Sequence, residues 1–268
     1  MKLKGENMLT EMTLPQEILD SFAEKKIELF YYDILDSTNK RARAYAAEKK
    51  PREAVLIVAE RQTEGRGRLG RSFYSPEGTG LYMTLLLPAP KEELFTRLTA
   101  LCAVAARKAI IDIFGVQTSI KWVNDLYLED RKVAGILAES FAVGEERYVA
   151  LGVGVNICTK DFPEELSAIA GSLNRKAESR EEARGDSLAL AFSVCNELMT
   201  ALTSENMGEY MDIYRRASCV IDRDISFFEN GEERQGRAVD INDRGELIVK
   251  TADGTRALCG GEISVRVR

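Results

Sequence analysis

The chain of 268 residues contains no histidine. Histidine supplies the base of Ser-His-Asp and Cys-His catalytic units and is a frequent ligand of zinc. Its absence excludes such sites, so any chemistry must use lysine, arginine, carboxylates and backbone amides. Reactions that depend on positioning and on charge stabilisation, phosphoryl and nucleotidyl transfer above all, do not require a histidine.

Paired cysteine motifs are also lacking. The chain has five cysteines, an odd number, and none of them belongs to a C-x-x-C pair. Such widely spaced residues predict neither a disulfide framework nor a zinc site. We therefore expect a reducing, cytoplasmic environment and no resident metal.

Long apolar segments do not occur. No run reaches the roughly 18 apolar residues of a membrane span, and the first ten residues lack the apolar core of a signal peptide. The net charge of -6 argues against a general nucleic-acid or membrane-surface role, because affinity for a polyanion rests on phosphate neutralisation. We expect no secretion, no membrane partner and no DNA partner, and any attraction for anions must be local.

One stretch contrasts with this acidic balance. Residues 65–71 read Gly-Arg-Gly-Arg-Leu-Gly-Arg and follow the strand-like run Val55, Leu56, Ile57 and Val58. Glycines let the backbone turn and approach a ligand, while each guanidinium offers a fixed fork of donors to a carboxylate or phosphate. The pattern predicts a strand that leads into a mobile cationic loop that binds an anion.

Two phosphate-binding sequence motifs overlap this loop. Gly65, Gly67 and Gly70 satisfy G-x-G-x-x-G, and residues 65–72 have Walker A spacing with Arg71 in the lysine position. Both motifs require a following helix. Here a turn at residues 75–80 precedes the strand-like residues 81–87, so the context disfavours both interpretations. A solvated basic loop is the remaining structural alternative.

The rest of the chain alternates helical and strand patterns. Ser37 reads as a helix N-cap, although a ligand contact is equally compatible with it. A meander of antiparallel strands is predicted at residues 119–139, and its Lys121 and Lys132 face either solvent or an anion. The predicted elements are a short helix at 11–26, a strand at 27–32, helices to Lys50 and over 92–114, a helix that Asp186 caps and that ends near Leu202, and a helix over 207–216.

A glycine-containing strand is predicted at residues 147–157. Gly152 and Gly154 lie on one face of it, which leaves that face bare for a close approach to the backbone. Asn156 has the same parity, and its amide could either read a base edge or serve a strand-end turn. From Cys219 onward, short strands and an Asn230-Gly231 hairpin turn predict a small barrel.

Five motifs in this order carry a family resemblance: GRGRLGR (65–71), KWVND (121–125), RKVAGIL (131–137), GVN (154–156) and GGEIS (260–264). Together they resemble a biotin protein ligase from about residue 28 to the C-terminus. The resemblance implies an α+β fold, with a mixed, largely antiparallel sheet flanked by helices (class II synthetase-like) and a C-terminal SH3-like barrel. The implied divisions are an extension at 1–27, a catalytic domain at 28–218 and the barrel at 219–268.

The resemblance implies a two-step reaction. The biotin carboxylate attacks the α-phosphorus of ATP to give biotinyl-5'-AMP, and a lysine of a biotin carboxyl carrier protein then takes the acyl group. Lys132 and Arg68 would be catalytic, and Mg²⁺ would enter with ATP. Biotin would contact Ser37, Thr38, Asn39, Gln62, Gly65, Arg66, Arg68, Lys132 and Gly135; ATP would contact Arg66, Arg68, Arg71, Lys121, Asp125 and Asn156.

Some features distinguish this chain or leave alternatives open. Many relatives have proline where this chain has Val123, a change that removes no charged group. Bifunctional relatives carry an N-terminal DNA-binding winged helix, and we expect a ligase without that repressor function. A lipoate or other acyl ligase and a non-enzymatic nucleotide- or RNA-binding module are the competing interpretations. The edge strands of the meander could pair between two subunits, so a homodimer is also compatible with the sequence.

Overall fold

The computed structural model describes residues 27–89, 92–95, 97–174, 179–202, 207–229, 232–259 and 265–267. The strands are β1 Glu28–Leu35, β2 Val55–Gln62, β3 Gly80–Pro88, β4 Ser119–Lys121, β5 Asp125–Leu128, β6 Arg131–Val143, β7 Glu146–Asn156, β8 Asp224–Glu229, β9 Glu232–Ile241, β10 Leu247–Thr251, β11 Gly254–Leu258 and β12 Val265–Val267. The helices are α1 Thr38–Lys49, α2 Glu92–Phe95, α3 Leu98–Phe114, α4 Glu164–Ser167, α5 Arg180–Ala201 and α6 Met207–Arg216.

A seven-stranded sheet forms the larger part of the fold, in the order β1-β2-β3-β7-β6-β5-β4. Only β1 and β2 pair in parallel, and the other neighbours are antiparallel. The predicted meander is therefore confirmed as β4, β5 and β6. Strand β7 lies at the centre, where Gly152 pairs with Thr84 and Gly154 pairs with Tyr82 of β3.

The two faces of this sheet are covered to different extents. Alternate residues such as Leu56 and Met83 pack with α3, α5 and α6 into the main core. On the opposite face, Ile57 and Tyr148 pack against helix α1, because successive side chains of a strand point to opposite faces. The short α1 leaves the Gly152–Asn156 end of β7 for the candidate site.

The C-terminal residues form a second, antiparallel sheet in the order β11-β10-β9-β8-β12. It is joined to the first sheet by the Trp122 indole, which donates a hydrogen bond to the Gly245 carbonyl at 2.9 Å. The Cys219 N–H also donates to the Ile120 carbonyl at 2.9 Å. The α+β fold with a small C-terminal β-unit is confirmed, and the boundary predicted at residue 219 lies between α6 and β8.

Several local predictions need correction. The helix predicted over 92–114 is interrupted, since Arg97 N–H bonds the Leu94 carbonyl in a tight turn between α2 and α3. Helix α5 begins at Arg180 rather than at Asp186, because Ser179 caps it by accepting the Glu182 N–H at 3.1 Å. Strand β11 was not predicted.

Other predictions concern the ends of helices or fall outside the described residues. Ser37 occupies the N-cap position of α1 but its side chain makes no capping hydrogen bond, whereas Gly115 ends α3 with a φ of 67°. The helix predicted at 11–26, the Asn230-Gly231 turn and the 260–264 motif lie outside the described residues. Among the described helices, none is long and apolar enough to cross a bilayer.

The capping of α5 yields a test of stability. Replacing Ser179 by alanine leaves the Glu182 N–H without its acceptor, and we expect the free energy of unfolding to fall by about 1 kcal/mol. Urea denaturation followed by circular dichroism measures this change. The matched Ser140→Ala variant, on the exposed side of β6, should shift stability by less than about 0.5 kcal/mol; equal losses in both variants would contradict the assignment.

Candidate active site

A cavity of about 450 Å³ lies over the Gly152–Asn156 end of β7, between the start of α1 and the arginine-rich segment. It brings together residues of four of the five sequence motifs. The predicted site residues on its wall are Ser37, Thr38, Asn39, Gln62, Arg66, Arg68, Arg71, Lys121, Asp125, Lys132, Gly135 and Asn156.

The arginine-rich segment folds as a hairpin rather than as an open loop. We call residues 62–75 the arginine hairpin. Its stem is held by hydrogen bonds from Phe73 N–H to the Gly65 carbonyl at 2.9 Å and from Gly67 N–H to the Arg71 carbonyl at 2.7 Å. At the tip, Leu69 and Gly70 have φ angles of 56° and 72°. The hairpin thereby fixes the three arginines against the cavity.

Gly65 is the predicted site residue that does not line the cavity. It lies in the stem, where an added Cβ would be 2.3 Å from the Phe73 carbonyl oxygen and 2.7 Å from the Ser75 hydroxyl. Its lack of a side chain therefore serves the closure of the hairpin. A role of Gly65 in ligand contact remains only a prediction.

The glycines of β7 do have a close neighbour on their face, as predicted, but the neighbours are side chains of the chain itself. An added Cβ at Gly154 would be 2.6 Å from the Phe73 ring, and one at Gly152 would be 2.5 Å from the Asn39 side-chain oxygen. Phe73 and Asn39 lie on the bare backbone of the central strand. These contacts seat the arginine hairpin and the start of α1 on β7.

Five cations and one carboxylate line the cavity. The cations are Arg66, Arg68, Arg71, Lys121 and Lys132, and Asp125 is the one carboxylate among the described residues that line the cavity. This excess of positive charge contrasts with the net charge of -6 for the whole chain. Because opposite charges attract strongly at contact distance in a partly buried site, the cavity favours an anionic ligand.

The central cations are held by polar neighbours. Lys132 Nζ is 2.7 Å from Asp125 Oδ1, and Arg68 Nη1 donates to Asn124 Oδ1 at 3.1 Å. Burial lowers the pKa of Arg68, an effect that the charge of Asp125 opposes. Lys121 instead lies over the Tyr127 ring, with Nζ 5.2 Å from the ring centroid. Arg68 and Lys132 are thus oriented from two sides of the same cavity.

A buried polar network forms the end of the cavity nearest α1. Gln62 Oε1 accepts the Thr38 N–H at 2.9 Å, and its Nε2 donates to Ser75 Oγ at 3.0 Å. Thr84 Oγ1 is 2.8 Å from Thr38 Oγ1 and 2.6 Å from Asn39 Oδ1. All of these groups except Gln62 are buried, so a polar head group that enters here meets oriented partners.

Asn156 lies at another end of the cavity. Asn156 is 4% exposed, its Nδ2 donates to the Gly171 carbonyl at 2.9 Å, and its Oδ1 has no hydrogen-bond partner among the residues that the structure describes. Leaving a buried acceptor unpaired is costly. The amide therefore presents an acceptor that a ligand donor would satisfy.

The segment that follows Asn156 supports the same region. Gly171 N–H donates to the Lys132 carbonyl at 2.8 Å, and Lys132 N–H donates to the Ile169 carbonyl at 2.9 Å. Gly171 thus contacts the main chain of Lys132 as well as the side chain of Asn156. Sequence patterns gave no indication of this link, because the two residues and Gly171 belong to separate elements.

Sequence reasoning missed Phe73 and Thr84. Phe73 lies two residues after the end of the glycine and arginine motif, and an aromatic residue so close to a loop expected at the site is a signal that could have been used. Thr84 is fully buried within the otherwise apolar run of β3, where a single hydroxyl needs a partner. The described residues include no cluster of three or more carboxylate or thiol groups that could hold a metal.

A second cavity of about 690 Å³ adjoins the first. The arginine hairpin forms the wall between them, since Arg66, Arg68, Leu69 and Arg71 line both. The C-terminal sheet contributes the far side through Arg244 and nearby residues. Leu69 is 55% exposed at the tip of the hairpin.

Comparisons with known proteins agree with this geometry. Residues 31–156 match the biotin/lipoate A/B protein ligase family, and residues 222–266 match the biotin protein ligase C-terminal domain. The bifunctional ligase/repressor BirA of Bacillus subtilis is 34% identical over 250 residues, which cover 88% of this chain and 74% of that protein. A biotin--[acetyl-CoA-carboxylase] ligase of Mycobacterium tuberculosis is 29% identical, with 85% of each chain covered.

Solved structures give the same result. A biotin protein ligase from Aquifex aeolicus in complex with biotin and ATP superposes with a TM-score of 0.74 and 27% identity, covering 90% of this chain and 99% of that one. The matched regions include the cavity-lining strands and the C-terminal sheet. The chain therefore belongs to the biotin protein ligase family.

Proposed function

We propose that this chain activates biotin with ATP to form biotinyl-5'-AMP and pyrophosphate, and then transfers the biotinyl group to a lysine of a biotin carboxyl carrier protein. The observation that carries this proposal is the convergence on one cavity of a polar network, five cations and an unpaired amide acceptor. These features suit, respectively, a ureido head group, two anions and an adenine. Relatives described as ligases for acetyl-CoA carboxylase support the carrier protein as acceptor.

The two substrates repel each other before they react. A carboxylate must approach an α-phosphorus surrounded by phosphate oxygens, and at contact distance this repulsion is large unless cations offset it. Lys132 would lie between the acyl oxygen and the α-phosphate, and Arg68 would contact the carboxylate and the phosphate. Both groups would stabilise the charge that increases as the attack proceeds.

The remaining cations would bind the leaving group. Arg66, Arg71 and Lys121 would contact the triphosphate, and Asp125 would orient both Lys132 and the Mg²⁺ that accompanies ATP. One carboxylate does not make a metal site by itself, so the ion would enter as part of the nucleotide complex. The chain's own contribution is to position and neutralise the anions.

The polar network favours biotin over lipoate. The ureido ring of biotin offers two N–H donors and one carbonyl acceptor, whereas a dithiolane ring offers no donor. Thr38, Gln62 and Asn39 would be left partly unpaired by a dithiolane, at the cost that accompanies buried polar groups. Mixing the protein with ATP, a carrier domain and either acid, followed by mass measurement of the carrier, separates the two activities.

Lys132 is the first residue to test. We expect Lys132→Ala to reduce biotin-dependent pyrophosphate release at least about 10²-fold, because it removes a cation aimed at the developing charge. Its side chain is 33% exposed, so the fold should persist. Lys250→Ala, an exposed strand lysine of the C-terminal sheet, is the matched control. Near-normal pyrophosphate release by the Lys132 variant would refute the assigned role.

Asn156 provides a test of nucleotide choice. With Nδ2 bound to the Gly171 carbonyl, Oδ1 would accept the adenine amino group and would face the carbonyl oxygen of guanine. We expect the protein to use ATP well and GTP poorly, and Asn156→Leu to reduce the ratio of kcat/KM values by about 10-fold or more. Pyrophosphate release with each nucleotide measures the ratio; a ratio unchanged in the variant would place the adenine elsewhere.

We also propose that the chain does not bind DNA specifically. The homodimer expected through the meander's edge finds no support at β4, because the N–H and the carbonyl of Ile120 already bond Ala217 and Cys219. The net charge of -6 supports the absence of specific DNA binding. Gel-shift titration with an operator-like duplex at physiological salt should show no specific complex. A specific, saturable complex would contradict it.

A further inference from the structure

We propose that Glu139 sets the hydrogen-bond polarity of the head-group site, so that Thr38 faces the cavity as an acceptor and not as a donor. Asn39 and Thr84 transmit this effect from the outer part of β6 to the cavity. The inference rests on the proposed function and goes further, because it assigns positioning roles to Glu139 and Thr84.

The first step is the orientation of the Asn39 amide. Asn39 Nδ2 donates to Glu139 Oε2 at 2.8 Å, and a carboxylate can only accept. The alternative partner of Nδ2, the Leu137 carbonyl, is 3.5 Å away and too distant to fix the amide alone. Glu139 is itself held by Arg43, whose Nη2 is 3.6 Å from Oε1. The amide oxygen of Asn39 must therefore face Thr84.

The orientation of Gln62 is fixed in the same way. Its Oε1 accepts the backbone N–H of Thr38 at 2.9 Å, and a backbone N–H can only donate. Consequently, a row of four oxygens runs from Gln62 Oε1 through Thr38 and Thr84 to Asn39 Oδ1. The successive separations are 3.2 Å, 2.8 Å and 2.6 Å.

The number of protons along this row decides whether the Thr38 hydroxyl donates or accepts a hydrogen bond in the cavity. The row has three contacts, but only the hydroxyls of Thr38 and Thr84 carry protons, because both terminal atoms are amide oxygens. Two protons can therefore fill two of the three contacts. In each of these arrangements Thr38 donates its proton to Gln62 or to Thr84, and not to the cavity. Thr38 then presents only lone pairs to the cavity, where it can accept an N–H of a cyclic urea.

Removing the negative charge at Glu139 changes the count. If the Asn39 amide turns over, its NH₂ group supplies a third proton to the row, and the longest contact, Thr38 to Gln62 at 3.2 Å, can release the Thr38 proton to the ligand. The hydroxyl would then be able to donate. Glu139 therefore determines whether the site discriminates a ligand N–H from a ligand oxygen.

The test compares biotin with its two cyclic carbamate analogues, in each of which one ring N–H is replaced by oxygen. Calorimetry of the intact protein without ATP measures all three affinities. For the analogue whose oxygen faces Thr38, we expect the wild-type protein to bind about 10- to 100-fold more weakly than biotin. Glu139→Gln and Thr84→Val should reduce the ratio of the Kd of this analogue to the Kd of biotin by about tenfold, whereas Thr84→Ser should retain the wild-type ratio.

The ratio of the two Kd values distinguishes a positioning role of Glu139 and Thr84 from a merely structural role. General loosening of the site would weaken biotin and the analogue together and leave their ratio unchanged. Glu145→Gln, at the exposed β6–β7 turn, is the control and should behave as the wild type. An unchanged ratio in both Glu139→Gln and Thr84→Val would overturn the inference alone; failure of the wild-type protein to bind biotin would overturn the proposed function with it.

Discussion

The site depends on one steric constraint, the absence of side chains at positions 152 and 154 of the central strand. A methyl group at either position would lie within 2.6 Å of Asn39 or Phe73 atoms, well inside van der Waals contact. Those two residues carry the start of α1 and the arginine hairpin. The backbone of β7 therefore places the head-group network and the cationic wall at a fixed separation across one cavity.

Without substrates, the cavity carries an excess of positive charge. Among the described lining residues, five cations face one carboxylate, and the mutual repulsion of the cations opposes folding. The contact of Lys132 with Asp125 offsets part of that repulsion. In the proposed reaction the carboxylate and the triphosphate supply the missing negative charge, so the arrangement that is unfavourable in the free protein is favourable in the complex.

The motifs predicted the fold class and about half of the cavity wall, because each of the four motifs in the described part of the chain lies at a strand end or hairpin that the topology brings to one place. They could not predict the polar network, whose members are far apart in sequence: Asn39 and Glu139 are separated by 100 residues. The start of α5 was misplaced because the apolar stripe begins after Asp186. Its true signal, Ser179 followed three residues later by Glu182, is a local capping pattern.

Gly171 has a consequence for the range of nucleotides that the cavity can accept. Through its N–H and its carbonyl it bonds the main chain of Lys132 and the amide of Asn156, so backbone geometry and not flexible side chains sets the spacing between these two residues. In the proposed complex, where Asn156 would bind the base and Lys132 would contact the reacting phosphate, this spacing would set the distance between the two. A nucleotide with a longer or shorter sugar bridge could then contact one of these residues but not both.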